Sequence, residues 1–533
     1  MTKTPAVGVP MRDGIILGAD LYLPDQAGQP TILIRSPYGR GIAFGLSARL
    51  FAERGYQVVV QSCRGTPGAG GVLSPFLQEP ADGLDTVEWL ERQPWFAGRL
   101  ATYGASYLGY VQWAIAAELG ERLSAMAVAM SLSNFSEEIR QGGGFTLAGM
   151  LGWTRLMGAL GRQSLVGMLI RQLLGRGGLR SGVLEHLPLA ELDVAATGRT
   201  IPYWRDWVGH NDARTGIWER IDCRASLGRV TAPVTMVAGW SDIFLPAQLR
   251  DFAVLRAHER DARILIGSWS HTDAMGKAPI LDALEWFDHH LKGKPLEPRG
   301  RVRYQLEGEG GWHEAEQWPI ATGRPWALYL APDAKLADRA DPPTDPQTGA
   351  DAFVFDPADP TPSIAGPTLS GGKQHGSLQA LAARTDVLSY DSAPLPASLD
   401  LIGAVSAELT LGADAPTHDL YVCICEVGDN GIPIHISDGY LRLAPAAPAA
   451  QAVPADQARL PQSVRNDCWP IARRIAAGHR LRLFVTGGAH PRYARNLGFT
   501  GSFGAMTAMR AVQIRVHRAG SRVILPALQG QTS

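Results

Sequence analysis

Five cysteines in 533 residues leave this chain without a covalent framework. Cys63, Cys223, Cys423, Cys425 and Cys468 are odd in number, and their spacing fits neither a disulfide scaffold nor a zinc site. Cys423 and Cys425, two apart on a strand, would point their thiols the same way with no second pair nearby. The 13 histidines are scattered, and the adjacent His289 and His290 lack the i, i+4 spacing of a helical metal pair, so no metal or other cofactor is expected. Charge of one sign is also lacking. With 50 Lys and Arg against 51 Asp and Glu, the formal net charge is −1, and no basic block argues for nucleic acid or an anionic membrane as a partner. The N-terminus, Met1-Thr2-Lys3-Thr4-Pro5, lacks the apolar core of a signal peptide, and no apolar run is long enough to span a bilayer, so a cytoplasmic chain is expected. The length exceeds what one core supports and suggests about three domains.

The most informative segment is Leu100-Ala101-Thr102-Tyr103-Gly104-Ala105-Ser106-Tyr107-Leu108-Gly109. It places a serine between small residues where a strand pattern gives way to a helical one, the form of a nucleophile elbow. The second glycine comes one position late, at Gly109, so the pattern is G-x-S-Y-x-G. A capping or buried serine in a tight turn would read the same way in isolation. Downstream residues separate the two readings. The apolar run Ala232–Gly239 ends in Trp240-Ser241-Asp242, and Ala262–Gly267 ends in Ser268-Trp269-Ser270-His271. Ser106, Asp242 and His271 thus occur in the order serine, acid, histidine, each just past a strand signal, as an α/β-hydrolase sheet requires. An acyl-transfer site also needs oxyanion donors. The N–H of Tyr107 is one candidate. The Tyr38 hydroxyl, in the Ser36-Pro37-Tyr38-Gly39-Arg40 loop after the strand Thr31–Arg35, is the other.

These pieces together resemble the cocaine esterase-like hydrolases, relatives of the X-Pro dipeptidyl-peptidases and α-amino-acid ester hydrolases. The resemblance rests on Pro37-Tyr38-Gly39, Cys63-Arg64-Gly65, Gly104–Gly109, Gly239-Trp240-Ser241-Asp242 and Gly267–His271, and it extends from Met11-Arg12-Asp13-Gly14 to Val523-Ile524-Leu525-Pro526. It implies an α/β-hydrolase domain with an inserted helical cap, followed by an all-β jelly roll. The implied nucleophile, acid and base are Ser106, Asp242 and His271, with Tyr38 and the Tyr107 N–H as oxyanion donors. Position 62 departs from the pattern, since Ser62 stands where relatives carry aspartate.

Strand and helix patterns alternate to about Ser131, as in a mostly parallel sheet. From Asn134 to about Arg224 the apolar spacing becomes helical, through Leu147, Met150, Leu151, Trp153, Leu156, Met157 and Leu160, then Leu165, Met168, Leu169, Leu173 and Leu174. After Gly293 come short alternating strands, among them Val302–Leu306, Ala327–Leu330, Ala407–Leu411, Leu420–Ile424 and Leu481–Val485, separated by loops such as Asp341–Pro346 and the low-complexity Ala444–Ala450. The expected boundaries are 1–132 with 226–296 for the hydrolase domain, 133–225 for the cap and 297–533 for the jelly roll.

For the substrate, the resemblance places Trp153 and Leu156 near the acyl group, and Phe244 follows Asp242 closely. An apolar pocket of these three favours aromatic or branched acyl groups. The α-amino-acid ester hydrolases carry acids just after the catalytic aspartate, whereas Ile243, Phe244 and Leu245 occupy those positions here. The expected activity is hydrolysis of a small-molecule carboxylic ester through an acyl-enzyme. An amidase, peptidase or acyltransferase using the same triad is the alternative, and an inactive glycan-binding protein a third reading. A homodimer is left open, since the sequence does not give the oligomeric state.

Overall fold

A computed structural model describes residues 1–160, 182–209, 216–320, 325–340, 349–369, 378–444 and 461–528. The expected helical positions Leu165, Met168, Leu169, Leu173 and Leu174, the Asp341–Pro346 loop and nearly all of Ala444–Ala450 lie outside the described residues.

The chain opens with an antiparallel hairpin of β1 (Thr2–Pro10) and β2 (Ile16–Leu23), then β3 (Thr31–Ser36), β4 (Gln57–Ser62), β5 (Leu100–Ala105), β6 (Ala125–Ala129), β7 (Val234–Ser241) and β8 (Ala262–Ser270). With β9 (Val302–Gln305) and β10 (Trp312–Ala315) they form one sheet in the order β1-β2-β4-β3-β5-β6-β7-β8-β9-β10, parallel from β4 through β9. Central strands of such a sheet are covered on both faces, which is why β3 and β4 are apolar at successive positions rather than at alternate ones. The period of two still sorts them. Ile32, Ile34, Val58 and Val60 pack with Phe51, Trp286 and Phe287 of the helices Ile42–Glu53 and Lys277–Lys292. Leu33 and Val59 face the other way, toward Leu90, Trp113 and Phe252 of the helices Glu79–Glu91, Tyr107–Leu119 and Leu245–Ala257.

From β3 the chain crosses to β4 on one side and returns to β5 on the other. Ligand sites in open α/β sheets form at such reversals, beyond the carboxyl ends of the strands. Tyr38 follows β3 and Ser106 follows its neighbour β5. The segment between β6 and β7 is helical where described, and the helix Leu147–Leu160 buries Leu147, Met150, Leu151, Trp153, Met157 and Leu160, as its apolar spacing predicts, with Leu156 half-buried.

One strand falls elsewhere than expected. Val302–Gln305, assigned by pattern to the β-domain, pairs in parallel with β8 and extends the hydrolase sheet as β9. The remaining strands are β11 (Trp326–Ala331), β12 (Lys335–Ala337), β13 (Ala350–Phe355), β14 (Val387–Asp391), β15 (Leu399–Ala413), β16 (His418–Val427), β17 (Pro433–Leu443), β18 (Gln462–Ile475), β19 (Arg480–Thr486) and β20 (Val512–Leu525). They follow one hydrogen-bonded path, β17-β16-β19-β14-β12-β11-β20-β15-β18, with β13 on β20. The sheet curls until its ends meet: Ser437 of β17 donates to the Trp469 carbonyl of β18 at 2.7 Å. The all-β class expected of the jelly roll is met by this nearly closed, barrel-like sheet. Cys423 and Cys425 do point the same way, with Sγ atoms 3.6 Å apart and both thiols free. Among the described residues, no helix is long and apolar enough to cross a membrane.

Candidate active site

Ser106 stands between β5 and the helix Tyr107–Leu119 with φ +57° and ψ −124°, a left-handed conformation that costs a non-glycine residue about 1–3 kcal/mol. Hydrogen bonds hold it there. The Ser106 N–H donates to the Ala129 and Met130 carbonyls at 3.0 and 3.1 Å, and the Ser106 carbonyl accepts from Ser131 Oγ at 2.6 Å. The two glycines explain themselves by close approach. A Cβ on Gly104 would come within 2.4 Å of Leu108 Cβ, and one on Gly109 within 2.4 Å of Ser131 Cβ. The late second glycine therefore lets the helix lie against the residues after β6, while Leu108 is buried beneath the elbow.

His271 begins a short turn, His271–Met275, fixed by a capping box in which Ser270 and Asp273 satisfy each other's backbone. Its Nε2 lies 3.0 Å from Ser106 Oγ and its Nδ1 2.6 Å from Asp242 Oδ1. Asp242 is fully buried and His271 9% exposed, so the pair is screened from water while the serine side remains reachable. The other Asp242 oxygen accepts the Phe244 N–H at 3.2 Å. Phe244 also meets the imidazole edge-on, with centroids 4.9 Å apart. The three residues expected together are together. Such an arrangement can move a proton from the serine to the imidazole and stabilise the imidazolium with a carboxylate.

Tyr38 reaches the same spot. Its hydroxyl accepts a hydrogen bond from Trp153 Nε1 at 3.1 Å and lies in hydrogen-bonding reach of Ser106. Burial pushes the phenol up to about 12, so it remains a donor across the neutral range. Tyr107 heads its helix, so its N–H has no acceptor within that helix. The side chain of Tyr107 is anchored separately: its hydroxyl donates to Glu79 Oε1 at 2.8 Å and accepts the Phe76 N–H at 2.9 Å. Glu79 is itself paired with Arg35 at 2.8 Å, both buried. Trp153 lies parallel to the Tyr107 ring at 6.1 Å, and Leu156 packs at the edge of the cluster that holds Phe76, Tyr107, Trp153 and Phe244. Ser62, where the expected aspartate is missing, accepts from Arg40 at 2.7 Å, and Asp20 supplies Arg40 with its carboxylate at 3.0 Å.

Four contributors are not legible from sequence pattern. Phe76 holds φ +70° under the aromatic cluster. Glu79 looks like any acid in a first helical turn. Trp469, a core-like aromatic on β18, donates from Nε1 to the Asp242 carbonyl at 3.3 Å, tying the β-domain to the acid's loop. Glu138, on the short helix Phe135–Ile139, brings a buried carboxyl from the cap, accepting from Gln141 Nε2 at 2.6 Å. Burial pushes Glu138 well above the ordinary carboxylate range, and the charge of Asp242 adds to that while Arg492 opposes it.

Comparison with known proteins agrees in both halves. The X-Pro dipeptidyl-peptidase (S15 family) model matches residues 13–273, and the X-Pro dipeptidyl-peptidase C-terminal non-catalytic domain matches residues 296–518. The chain is 28% identical to the cocaine esterase of Rhodococcus sp. (strain MB1 Bresler), over 98% of each chain. In fold it is similar to an aminopeptidase from a marine sediment archaeon, Thaumarchaeota archaeon, with TM-score 0.81 at 21% identity over 99% of this chain and 96% of the other. An α-amino acid ester hydrolase gives TM-score 0.81 at 20% identity, over 99% and 96%. With the catalytic and C-terminal parts of one architecture matched in order and a relative aligned from end to end, the chain belongs to the X-Pro dipeptidyl-peptidase (S15) superfamily, as a cocaine esterase-like hydrolase.

Proposed function

We propose that this protein hydrolyses carboxylic esters with an uncharged, apolar acyl group through an acyl-enzyme on Ser106. The observation that carries the reading is the relay Ser106 Oγ to His271 Nε2 at 3.0 Å and His271 Nδ1 to Asp242 at 2.6 Å, built on a strained elbow beside the half-buried Tyr38 phenol. Ser106 attacks the carbonyl as His271 takes its proton. Asp242 keeps Nδ1 protonated and holds the ring in place. The Tyr38 hydroxyl and the Tyr107 N–H receive the oxyanion, and His271 then returns the proton to the leaving alkoxide. Water repeats the sequence on the acyl-enzyme. Trp153, Phe244 and Leu156 form the apolar surface that receives the acyl group. Ile243, Phe244 and Leu245 offer no carboxylate to a substrate ammonium, and the Glu138 carboxyl is held toward its neutral form, so an α-amino acyl ester would bring a charge without a partner.

The test is a serine-directed fluorophosphonate, with aryl and alkyl esters and their matching amides as substrates. Stoichiometric labelling that disappears in Ser106→Ala, with turnover of neutral esters, is expected. Undiminished labelling of Ser106→Ala would remove the assignment.

A further inference from the structure

A cavity of about 590 Å³ lies between the cap and the β-domain. Its size is that of a site for a drug-sized ligand. Leu147, Leu184 and Leu189 line it from the cap, and Leu497, Phe503 and Met506 from the β-domain. None of Ser106, His271, Asp242 and Tyr38 lines it. Backbone hydrogen bonds frame it by joining the two units: Ala190 N–H to the Gly504 carbonyl at 2.8 Å and Ala494 N–H to the Phe145 carbonyl at 2.8 Å.

The cavity also contains a cation without a counter-ion. Arg140 is 8% exposed; one terminal nitrogen donates to the Trp207 carbonyl at 2.6 Å, while its Nε is buried with no partner. Phe145, Trp218 and Phe503 surround the guanidinium at 5.7 to 5.9 Å. Neighbouring cations in the same wall are neutralised. Arg442 is paired with Asp419 at 2.8 Å and Arg495 with Glu185 at 3.0 Å, and His490 Nε2 lies 3.4 Å from the same Glu185. Among the described residues no carboxylate reaches Arg140. Burial and the charge of Arg442 lower its pKa to about 10, which still leaves it protonated at neutral pH. A charge taken out of water and left unpaired is costly, and the cost falls when an anion occupies the space beside it. Three rings near the guanidinium and leucines along the cavity wall call for an anion with an apolar body.

We propose that this cavity binds a small organic carboxylate, its anionic group against Arg140 and its hydrocarbon among the leucines and Phe503. An occupant would touch cap and β-domain together and so hold them together. The site is independent of the esterase reading, because nothing in it depends on Ser106.

Octanoate is the probe, with 1-octanol and sulfate as controls, titrated calorimetrically into the full chain. The expected result is saturable binding of one octanoate per chain, with the alcohol and sulfate each at least about tenfold weaker, as for losing a charge-assisted hydrogen bond or the apolar contact. Arg140→Met should weaken octanoate by roughly ten- to a hundredfold while keeping or raising the unliganded Tm, since the substitution removes a buried charge. Leu184→Trp, which fills the space and leaves Arg140 intact, should weaken octanoate as well, and it keeps the test valid if Arg140→Met does not fold. Absence of saturable binding, equal affinity for octanoate and either control, or wild-type affinity in both variants would overturn the proposal.

Discussion

Replacing Tyr38 by phenylalanine removes one hydroxyl and leaves the ring, which stacks on Phe44 at 6.4 Å, to keep its packing. The effect should therefore be chemical. One lone pair of that hydroxyl is taken by Trp153 Nε1–H at 3.1 Å, which leaves the hydroxyl proton to point away from the indole. A donor held in this way stabilises the oxyanion as it forms and has little to gain from the neutral ester. Loss of one such donor costs about 10²–10³ in kcat, roughly 2.7–4 kcal/mol, with KM nearly unchanged. Trp153→Phe leaves the hydroxyl but frees its orientation, so the loss should be that of an ordinary neutral hydrogen bond, about 1 kcal/mol or roughly fivefold. Both residues act through one proton. The double variant should thus be no slower than Tyr38→Phe alone, apart from any loss of acyl binding that shows in KM. The assay is kcat and KM on a p-nitrophenyl ester, with the thermal midpoint of each variant as a control for packing. A KM effect alone in Tyr38→Phe would make Tyr38 a substrate contact. A full additional loss of kcat in the double variant would show that Trp153 works through packing on Tyr107.

Three further outcomes follow from the same geometry. Gly109→Ala should destabilise the protein by about 1–3 kcal/mol in denaturant unfolding and lower kcat, because the new Cβ, 2.4 Å from Ser131 Cβ, must displace the residue that holds the elbow carbonyl; unchanged stability would mean that the helix can lift freely. A neutral aromatic or branched acyl ester should exceed its α-amino counterpart by roughly 30- to 1000-fold in kcat/KM, the effect of an unpaired ammonium costing about 2–4 kcal/mol. A preference for the α-amino ester would instead assign Glu138 the role of its counter-ion. Trp469→Phe should lower stability by about 1 kcal/mol and kcat a few-fold through the loosened Asp242 loop, whereas a stability loss with kcat intact would reduce the contact to adhesion between domains.

Ser106, Asp242 and His271 were legible because each sits at the end of a buried strand, and strand ends are the best-defined points of a parallel sheet. Tyr38 was legible for the same reason, through β3. Partner choice is less visible. Val302–Gln305 alternates in burial, as antiparallel strands do, and its local pattern carries nothing to say that β8 would pair with it in parallel. Periodicity placed Trp153 correctly on the buried face of its helix, yet an apolar stripe does not report where an indole N–H points. Glu79, Trp469 and Arg140 follow the same rule at longer range. Each is defined by a residue tens to hundreds of positions away, and the local signals of a first-turn acid, a strand aromatic and a helix-end arginine are indistinguishable from structural ones.

The division of labour among the three units follows from these contacts. In the proposed reaction the parallel sheet supplies the participating side chains, since the ends of its strands bring Ser106, Asp242, His271 and Tyr38 to one edge. Orientation comes from outside the sheet. The cap turns the Tyr38 hydroxyl through Trp153, and the β-domain holds the Asp242 loop by its carbonyl through Trp469. The Asp242 side chain faces His271 and the Phe244 N–H, while its backbone carbonyl is held by Trp469. In the proposed reaction the β-domain would act on the rate through the Asp242 loop, which places a carboxylate 2.6 Å from the imidazole, without supplying a reacting group itself. The cap and β-domain also meet each other, at Tyr493 Oη and Gln141 Oε1, 2.7 Å apart. Through these contacts each unit is linked to both Tyr38 and Asp242. Changes at the interface between these two units should therefore appear in kcat, even where no substrate contact is altered.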